Sequence, residues 1–164
     1  MAVHKDDDFV AYVHGRLPGL RRLAAQLAGD PHRGDDLVQQ AITRLYLKWR
    51  RASQAANLDA YVYRILVRAF LDERRLSWAR VRLGEPPAEI ADPAPVDLER
   101  RMLLRDALST LPPRQRAAVA LRYLADRSVE EVADILQVSS GTVKSQTHDG
   151  LAALRRLLAD PARS

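Results

Sequence analysis

The run at positions 139–148 reads SSGTVKSQTH and combines small polar side chains with a single lysine. Hydroxyl groups can hydrogen-bond the edges of different bases, and a lysine can contact guanine or phosphate in the major groove of duplex DNA. Small side chains also let a helix end approach another surface closely. The pattern favours duplex binding, with Arg155 farther along placed to hold a phosphate. The candidate residues in the run are Ser140, Thr142, Lys144, Ser145 and His148.

A second candidate surface carries arginine and aromatic residues between positions 61 and 78. On a helix turning about 100° per residue, they fall within one arc. Arginines can follow a phosphate backbone, and aromatic rings stack on unpaired bases at about 1–3 kcal/mol each, so this composition is typical of single-strand binding. The alternative is that the aromatic residues complete a core while the arginines pair with Asp72 and Glu73. The candidate residues are Tyr61, Arg64, Arg68, Arg75 and Trp78.

The duplex-binding run lies in a predicted helix-turn-helix over residues 128–158. Ser128 and Glu131 form a Ser-x-x-Glu capping box that predicts the start of its first helix. The second helix is expected from Ser140 to Leu158, and an ordinary helical hairpin remains the alternative. Upstream, a helix is expected over 98–109, and Pro113 suits the first turn of the helix that follows it.

The arginine–aromatic face belongs to the third helix of an earlier helical module. Apolar residues at helical spacing predict a first helix up to Leu27, with Pro18 marking a kink or a new start. The sequence GDPH at 29–32 is a break, and a stripe over 37–49 predicts the second helix. The third is expected from about Leu58 to Arg80.

The exposed face of the second predicted helix suggests a surface for a protein partner. Leu47 stands there among polar residues, although a lone exposed leucine is common on protein surfaces. The candidate residues are Asp36, Gln39, Gln40 and Leu47.

The composition of residues 81–97 predicts a linker between the two modules. Residues 81–97 contain four prolines among acids and alanines, which predicts an extended tether that spans roughly 50 Å. The segments 1–80, 81–97 and 98–164 carry net charges of +5, −3 and +3. We therefore expect an all-α chain of two small basic domains, 1–80 and 98–164, joined by a flexible acidic linker.

Composition argues against several classes of protein. The 164 residues include no cysteine, and the four histidines show no metal-ligand spacing with carboxylates. No glycine-rich phosphate loop or catalytic carboxylate pair is present, so we expect no enzyme activity, metal or cofactor. No apolar run approaches about 18 residues and the first residues lack the build of a signal peptide, which favours the cytoplasm over a membrane. The net charge of +5 favours a polyanionic partner or an acidic protein surface.

Three stretches together resemble an extracytoplasmic-function (ECF) sigma factor of bacterial RNA polymerase, of the actinobacterial type. The first, GDPHRGDDLVQQAITRLYLKW, resembles the segment that docks on the polymerase clamp helices. The second, DAYVYRILVRAFLDERR, resembles the helix that reads and melts the minus-ten element. The third and most specific, LPPRQRAAVALRYLADRSVEEVADILQVSSGTVKS, resembles the domain that reads the minus-thirty-five element.

The resemblance assigns roles to the three candidate surfaces. It implies polymerase docking by the second helix, capture of a flipped minus-ten base by the loop 52–57, single-strand binding by the third helix and duplex binding by the last. The implied partners are core RNA polymerase, at its clamp helices and flap, and promoter DNA, with an anti-sigma factor left open. The chain departs from the family pattern at three positions. They are Arg68, where asparagine is frequent; Gln137, where glycine is common; and Asp149, near which a basic residue is frequent.

Two other functions fit parts of the sequence. A LuxR-type regulator also ends in a helix-turn-helix, although it commonly carries an α/β domain upstream. A helical interaction adaptor could instead use the basic faces to bind acidic proteins without contacting DNA.

Overall fold

A computed structural model describes residues 2–82 and 98–159 of the chain. All regular structure in these two ranges is helical, which confirms the all-α prediction. Residues 83–97, which hold most of the predicted linker, lie outside the described residues. The helices are Ala2–Ala28 (α1), Pro31–Leu47 (α2), Trp49–Ala52 (α3), Leu58–Arg82 (α4), Leu98–Ser109 (α5), Pro113–Tyr123 (α6), Val129–Leu136 (α7) and Ser140–Leu158 (α8).

The first half of the protein, residues 2–82, is built around the close packing of α1 and α2. Helix α1 continues through Pro18, so this proline does not start a new helix. Gly29 ends the helix at a φ of 79°, a conformation that favours glycine. The Asp30 side chain then accepts a hydrogen bond from the His32 backbone N–H at 2.9 Å and caps α2. A Cβ added at Gly34 would lie only 2.7 Å from the Ala25 nitrogen, so the close approach of the two helices requires glycine there.

In the second half of the protein, residues 98–159, helices begin where the sequence predicted. Pro113 occupies the first turn of α6. The Ser128 hydroxyl accepts a hydrogen bond from the Glu131 backbone N–H at 3.1 Å and starts α7. Gln137 ends α7 in the left-handed region at φ 59° and ψ 44°, where a side chain costs about 1 kcal/mol or more. The Ser139 hydroxyl caps α8 by accepting from the Thr142 N–H at 3.1 Å.

The two halves share one hydrophobic core. Leu66 and Phe70 of α4 belong to the same buried cluster as Leu121 of α6 and Val132 of α7. A smaller cluster, which includes Leu108, Leu111 and Leu154, lies wholly within the second half. The prediction of two domains joined by a linker did not include this packed interface between them. This interface brings α7 against α4, which carries the predicted single-strand residues.

Candidate nucleic-acid interface

The last helix exposes its candidate duplex-binding residues on one side. Buried Val143 and Thr147 hold its other side against the second half, and the Thr147 hydroxyl donates to the Val143 carbonyl at 2.8 Å. Gly150 lies against α6, where an added Cβ would be 2.7 Å from Val119 Cγ2. This anchoring leaves a small, polar and weakly cationic face open over two turns. Its exposed residues are Ser140, Thr142, Lys144, Ser145 and His148, with Arg155 exposed farther along.

The predicted single-strand residues of α4 are only partly brought together on an open face. Arg68 and Arg75 are exposed, whereas Tyr61 is half-buried against the core. Arg64 is also half-buried, and it donates to the Asp134 backbone carbonyl at 3.0 Å and to the Asp134 carboxylate at 2.9 Å. Trp78 lies in α4, but its side chain is outside the described residues. Two of the five predicted residues are therefore open to solvent, and the N-terminal end of the predicted face is in contact with α7.

The loop before α4 takes part in the same contact. Asn57 caps α4 by accepting a hydrogen bond from the Ala60 N–H at 3.0 Å, and its amide donates to the Glu131 carboxylate at 3.4 Å. Ser53 and Gln54 of the loop are exposed. The loop thus presents polar groups to solvent beside a junction with the second half.

The predicted partner surface on α2 is open. Its three polar residues line a shallow groove with Thr43 and Arg44. Leu47 is not part of the groove lining and is 76% exposed. The Thr43 hydroxyl is turned back to the Gln39 carbonyl at 2.9 Å. An exposed leucine beside carboxylate and amide groups is suited to a protein partner. The predicted residues, all exposed, are Asp36, Gln39, Gln40 and Leu47.

Arg116 is a key residue of the interface between the halves that the sequence prediction missed. The residue is 1% exposed, and its guanidinium carbon lies 5.5 Å from the Phe70 ring centroid. It donates to the carbonyls of Leu27 at 2.8 Å and of Ser109 and Leu111 at 3.0 Å. Burial, with the charge of Arg74 adding to it, lowers the pKa of Arg116 to about 10, so the group stays charged at neutral pH.

The sequence contains one signal that could have identified Arg116. It directly precedes the fully buried run 117–121, so its side chain begins in an apolar environment. A buried charge needs hydrogen-bond partners, and here they come from α1, from the end of α5 and from the turn before α6. Asp134 carried no such signal, because an exposed acid on a helix can have any partner or none.

The part of the chain that the structure describes contains no group of histidine, cysteine and acidic residues able to hold a metal ion. No described helix is long and apolar enough to cross a membrane.

The chain matches two family models, one in each half. Residues 13–80 match "Sigma-70 region 2" and residues 101–154 match "Sigma-70, region 4". The chain is 39% identical over 157 residues to the RNA polymerase sigma-E factor of Streptomyces coelicolor, covering 92% of this chain and 86% of that protein. It belongs to the ECF sigma factors. As a member of this family it is an alternative sigma factor, which directs promoter-specific transcription.

Further comparisons agree with this assignment. This sigma factor is 34% identical over 147 residues to the ECF sigma factor SigE of Mycolicibacterium smegmatis, covering 84% of this chain and 56% of that protein. Its fold is similar to the sigma factor RpoE of Bartonella quintana, solved in complex with the anti-sigma factor NepR. That match has a TM-score of 0.80 and 28% identity, and it covers 94% of this chain and 98% of that one. The LuxR-type and adaptor alternatives are therefore set aside.

Proposed function

We propose that this sigma factor reads its promoter at two points while α2 holds it on core RNA polymerase. In this assignment, residues 1–80 dock on the clamp helices and bind the unpaired minus-ten strand along α4. Residues 98–164 contact the flap and place α8 in the major groove of the minus-thirty-five duplex, with residues 81–97 as the linker. The protein acts in the cytoplasm at the nucleoid, and an anti-sigma factor is a further candidate partner.

The exposed face of α8 is the single observation that carries this proposal. Its apolar side is held by buried Val143 and Thr147, so the remaining side is fixed outward. A recognition helix needs this division, because its N-terminal residues must reach base edges while its back stays packed on the domain. Lys144 is the cation in the first two turns of that face, where it can reach guanine or phosphate.

The α4 surface supports the second point of contact. Arg68 and Arg75 are exposed and can follow phosphates along a strand. Opening duplex costs about 1.4 kcal/mol for each base-pair step, so one or two captured bases offset only part of a bubble. Polymerase contacts must supply the remainder, and the isolated sigma factor should not melt DNA.

Run-off transcription with purified core polymerase tests the proposal. On a library with randomised upstream and minus-ten elements, we expect defined start sites only when the sigma factor is added. Permanganate footprinting of a recovered promoter should reveal unpaired thymines around the minus-ten element with the holoenzyme and none with the sigma factor alone. Failure to initiate on every member of the library would contradict the proposal.

A further inference from the structure

A cavity of about 670 Å³ lies where α1, the start of α2, α4, α5 and the end of α6 meet. It lies outside the three surfaces assigned above, because none of the described residues that line it is among the predicted DNA-binding or polymerase-binding residues. Its volume falls within the range of about 300–1,000 Å³ that is usual for small-molecule sites. The cavity is therefore large enough to hold a small organic molecule.

Two polar atoms of the cavity lining are buried without a partner. Gln26 of α1 is 9% exposed, and its Oε1 atom accepts no hydrogen bond from the residues that the structure describes. The Nε atom of Arg105, on α5, is also buried and donates to no described group. Proteins leave few buried polar atoms unsatisfied, because each one lowers stability. An unpaired acceptor and an unpaired charged donor in one lining indicate a ligand that supplies a donor to the first and an acceptor to the second.

The charge of the lining favours an anion. Three arginines line the cavity, namely Arg21, Arg22 and Arg105. The lining contains one carboxylate, that of Asp35, which pairs with Arg21 at 3.5 Å. The described residues provide no ion-pair partner for Arg22 or Arg105. Guanidinium groups bind phosphate oxygens through paired N–H donors, so these two arginines are suited to a phosphate group.

The remaining wall of the cavity is mostly apolar and includes one aromatic residue. Leu23, Leu104 and Leu124 line it, together with Tyr63 of α4. The guanidinium carbon of Arg127 lies 5.4 Å from the centroid of the Tyr63 ring, so that ring is already held in position. An inorganic phosphate would use only the arginines. A ligand that fits the whole lining has a phosphate group, a flat apolar body and an N–H donor.

We propose that this cavity binds a nucleoside phosphate, with the phosphates at Arg22 and Arg105 and a base N–H group donating to Gln26. A nucleobase has a flat ring face and N–H donors at its edge, and its phosphates supply the anion that arginines recognise. Gln26 and Arg22 lie on α1 and Arg105 lies on α5, so the ligand contacts both halves of the protein. A bound nucleotide therefore stabilises the folded protein by mass action.

Isothermal titration calorimetry on the full-length protein tests the proposal, with the four common ribonucleoside triphosphates as probes. We expect saturable binding of at least one of them at one site per chain, and at least about tenfold weaker binding of pyrophosphate and of the bare nucleosides. The midpoint of thermal unfolding should rise with the concentration of the same nucleotide. Absence of saturable binding, or pyrophosphate binding as tight as that of the nucleotides, would overturn the proposal.

A matched pair of variants tests the phosphate contact. Arg105→Gln removes a cation of the lining, whereas Arg114→Gln removes the same charge from an exposed position of α6 outside the lining. We expect a loss of nucleotide affinity of at least about tenfold from the first variant and a change of less than about twofold from the second. Equal losses would show only a general attraction to a basic protein and would overturn the site.

Gln26→Leu tests the base contact. It removes an acceptor that has no described partner and keeps a side chain of similar size, so the variant should unfold at the same temperature as the wild type. We expect it to lose at least about tenfold in nucleotide affinity, while its weaker binding of pyrophosphate is unchanged. An unchanged nucleotide affinity would overturn the assignment of a nucleoside. These measurements use no polymerase or promoter, so their outcome is independent of the function proposed above.

Discussion

The two candidate DNA surfaces differ in what lies against them. On α8 the candidate residues are exposed, and the helix is held from behind by its own half of the protein. On α4, Arg64 is bound to Asp134 of the other half, while Arg68 is exposed one turn farther along. A surface that depends on one module can be ready for its ligand as folded. A surface that also packs against a second module is partly covered by that module, as Arg64 is by Asp134.

Replacement of Arg116 should have the largest effect on stability, because Arg116 joins the two halves directly. In Arg116→Met, three carbonyls lose a charged donor at about 1–3 kcal/mol each, while the cost of burying the guanidinium disappears. We expect a net loss of roughly 3 kcal/mol in the free energy of unfolding, measured by urea denaturation. Arg114→Met, at an exposed position of the same helix, is the control and should change stability by less than about 0.5 kcal/mol. Equal stabilities of the two variants would show that Arg116 does not join the halves energetically.

Removal of Lys144 should affect the α8 surface and leave the α4 surface unchanged. Lys144→Ala is expected to weaken binding to the upstream duplex by about 1–3 kcal/mol if the lysine reads a base. If it contacts a phosphate instead, the slope of log affinity against log salt should become shallower by about 1. Anisotropy titrations at several salt concentrations distinguish the two cases. Lys48→Ala, which removes the same charge from the end of α2, should leave duplex binding unchanged, and an equal loss there would indicate only a general charge effect.

The turn between α7 and α8 links the two surfaces and should respond to glycine. Gln137 has a left-handed backbone, and its side-chain amide donates at 2.8 Å to the same Asp134 carbonyl that accepts from Arg64. Gln137→Gly also loses this hydrogen bond, which is exposed. Relief of about 1–2 kcal/mol of left-handed strain should outweigh that loss, so the free energy of unfolding should rise by about 0.5–1 kcal/mol. Gln137→Ala keeps that strain and loses the hydrogen bond, so it should be slightly less stable than the wild type. Thermal unfolding of the wild type and the two variants measures this order. If the glycine variant were the least stable, the left-handed backbone of Gln137 would not be strained.

The smallest expected effect is a difference between two arginines of α4. Arg68→Ala removes an exposed cation only, whereas Arg64→Ala removes a cation and also releases Asp134. A partly exposed pair is worth about 0.2–1 kcal/mol, so release should offset part of the lost DNA contact. We therefore expect Arg68→Ala to reduce permanganate-reactive open complex more than Arg64→Ala. The reverse order would mean that the DNA contact of Arg64 outweighs what is gained when its pair with Asp134 is released.

Local signals predicted much of the second half. Pro113 and Ser128 each begin a helix in the structure, as a proline at the first turn and a capping serine should. Once these starts are set, the apolar spacing of α8 decides which of its sides is buried. The exposure of Lys144 and His148 follows from that spacing. Their contacts with DNA stay a prediction, as do the roles of the residues on α2 and α4.

The sequence by itself determined the helices, their caps and the side of each helix that faces the core, because these depend on residues within a few turns of one another. Only the tertiary structure decided that α7 lies against α4, that Arg64 pairs with Asp134 and that Arg116 reaches Leu27. Those pairs are separated by 70 and 89 residues. Contacts at such separations depend on how two preformed modules fit together, and the spacing of residues within either module does not encode that fit.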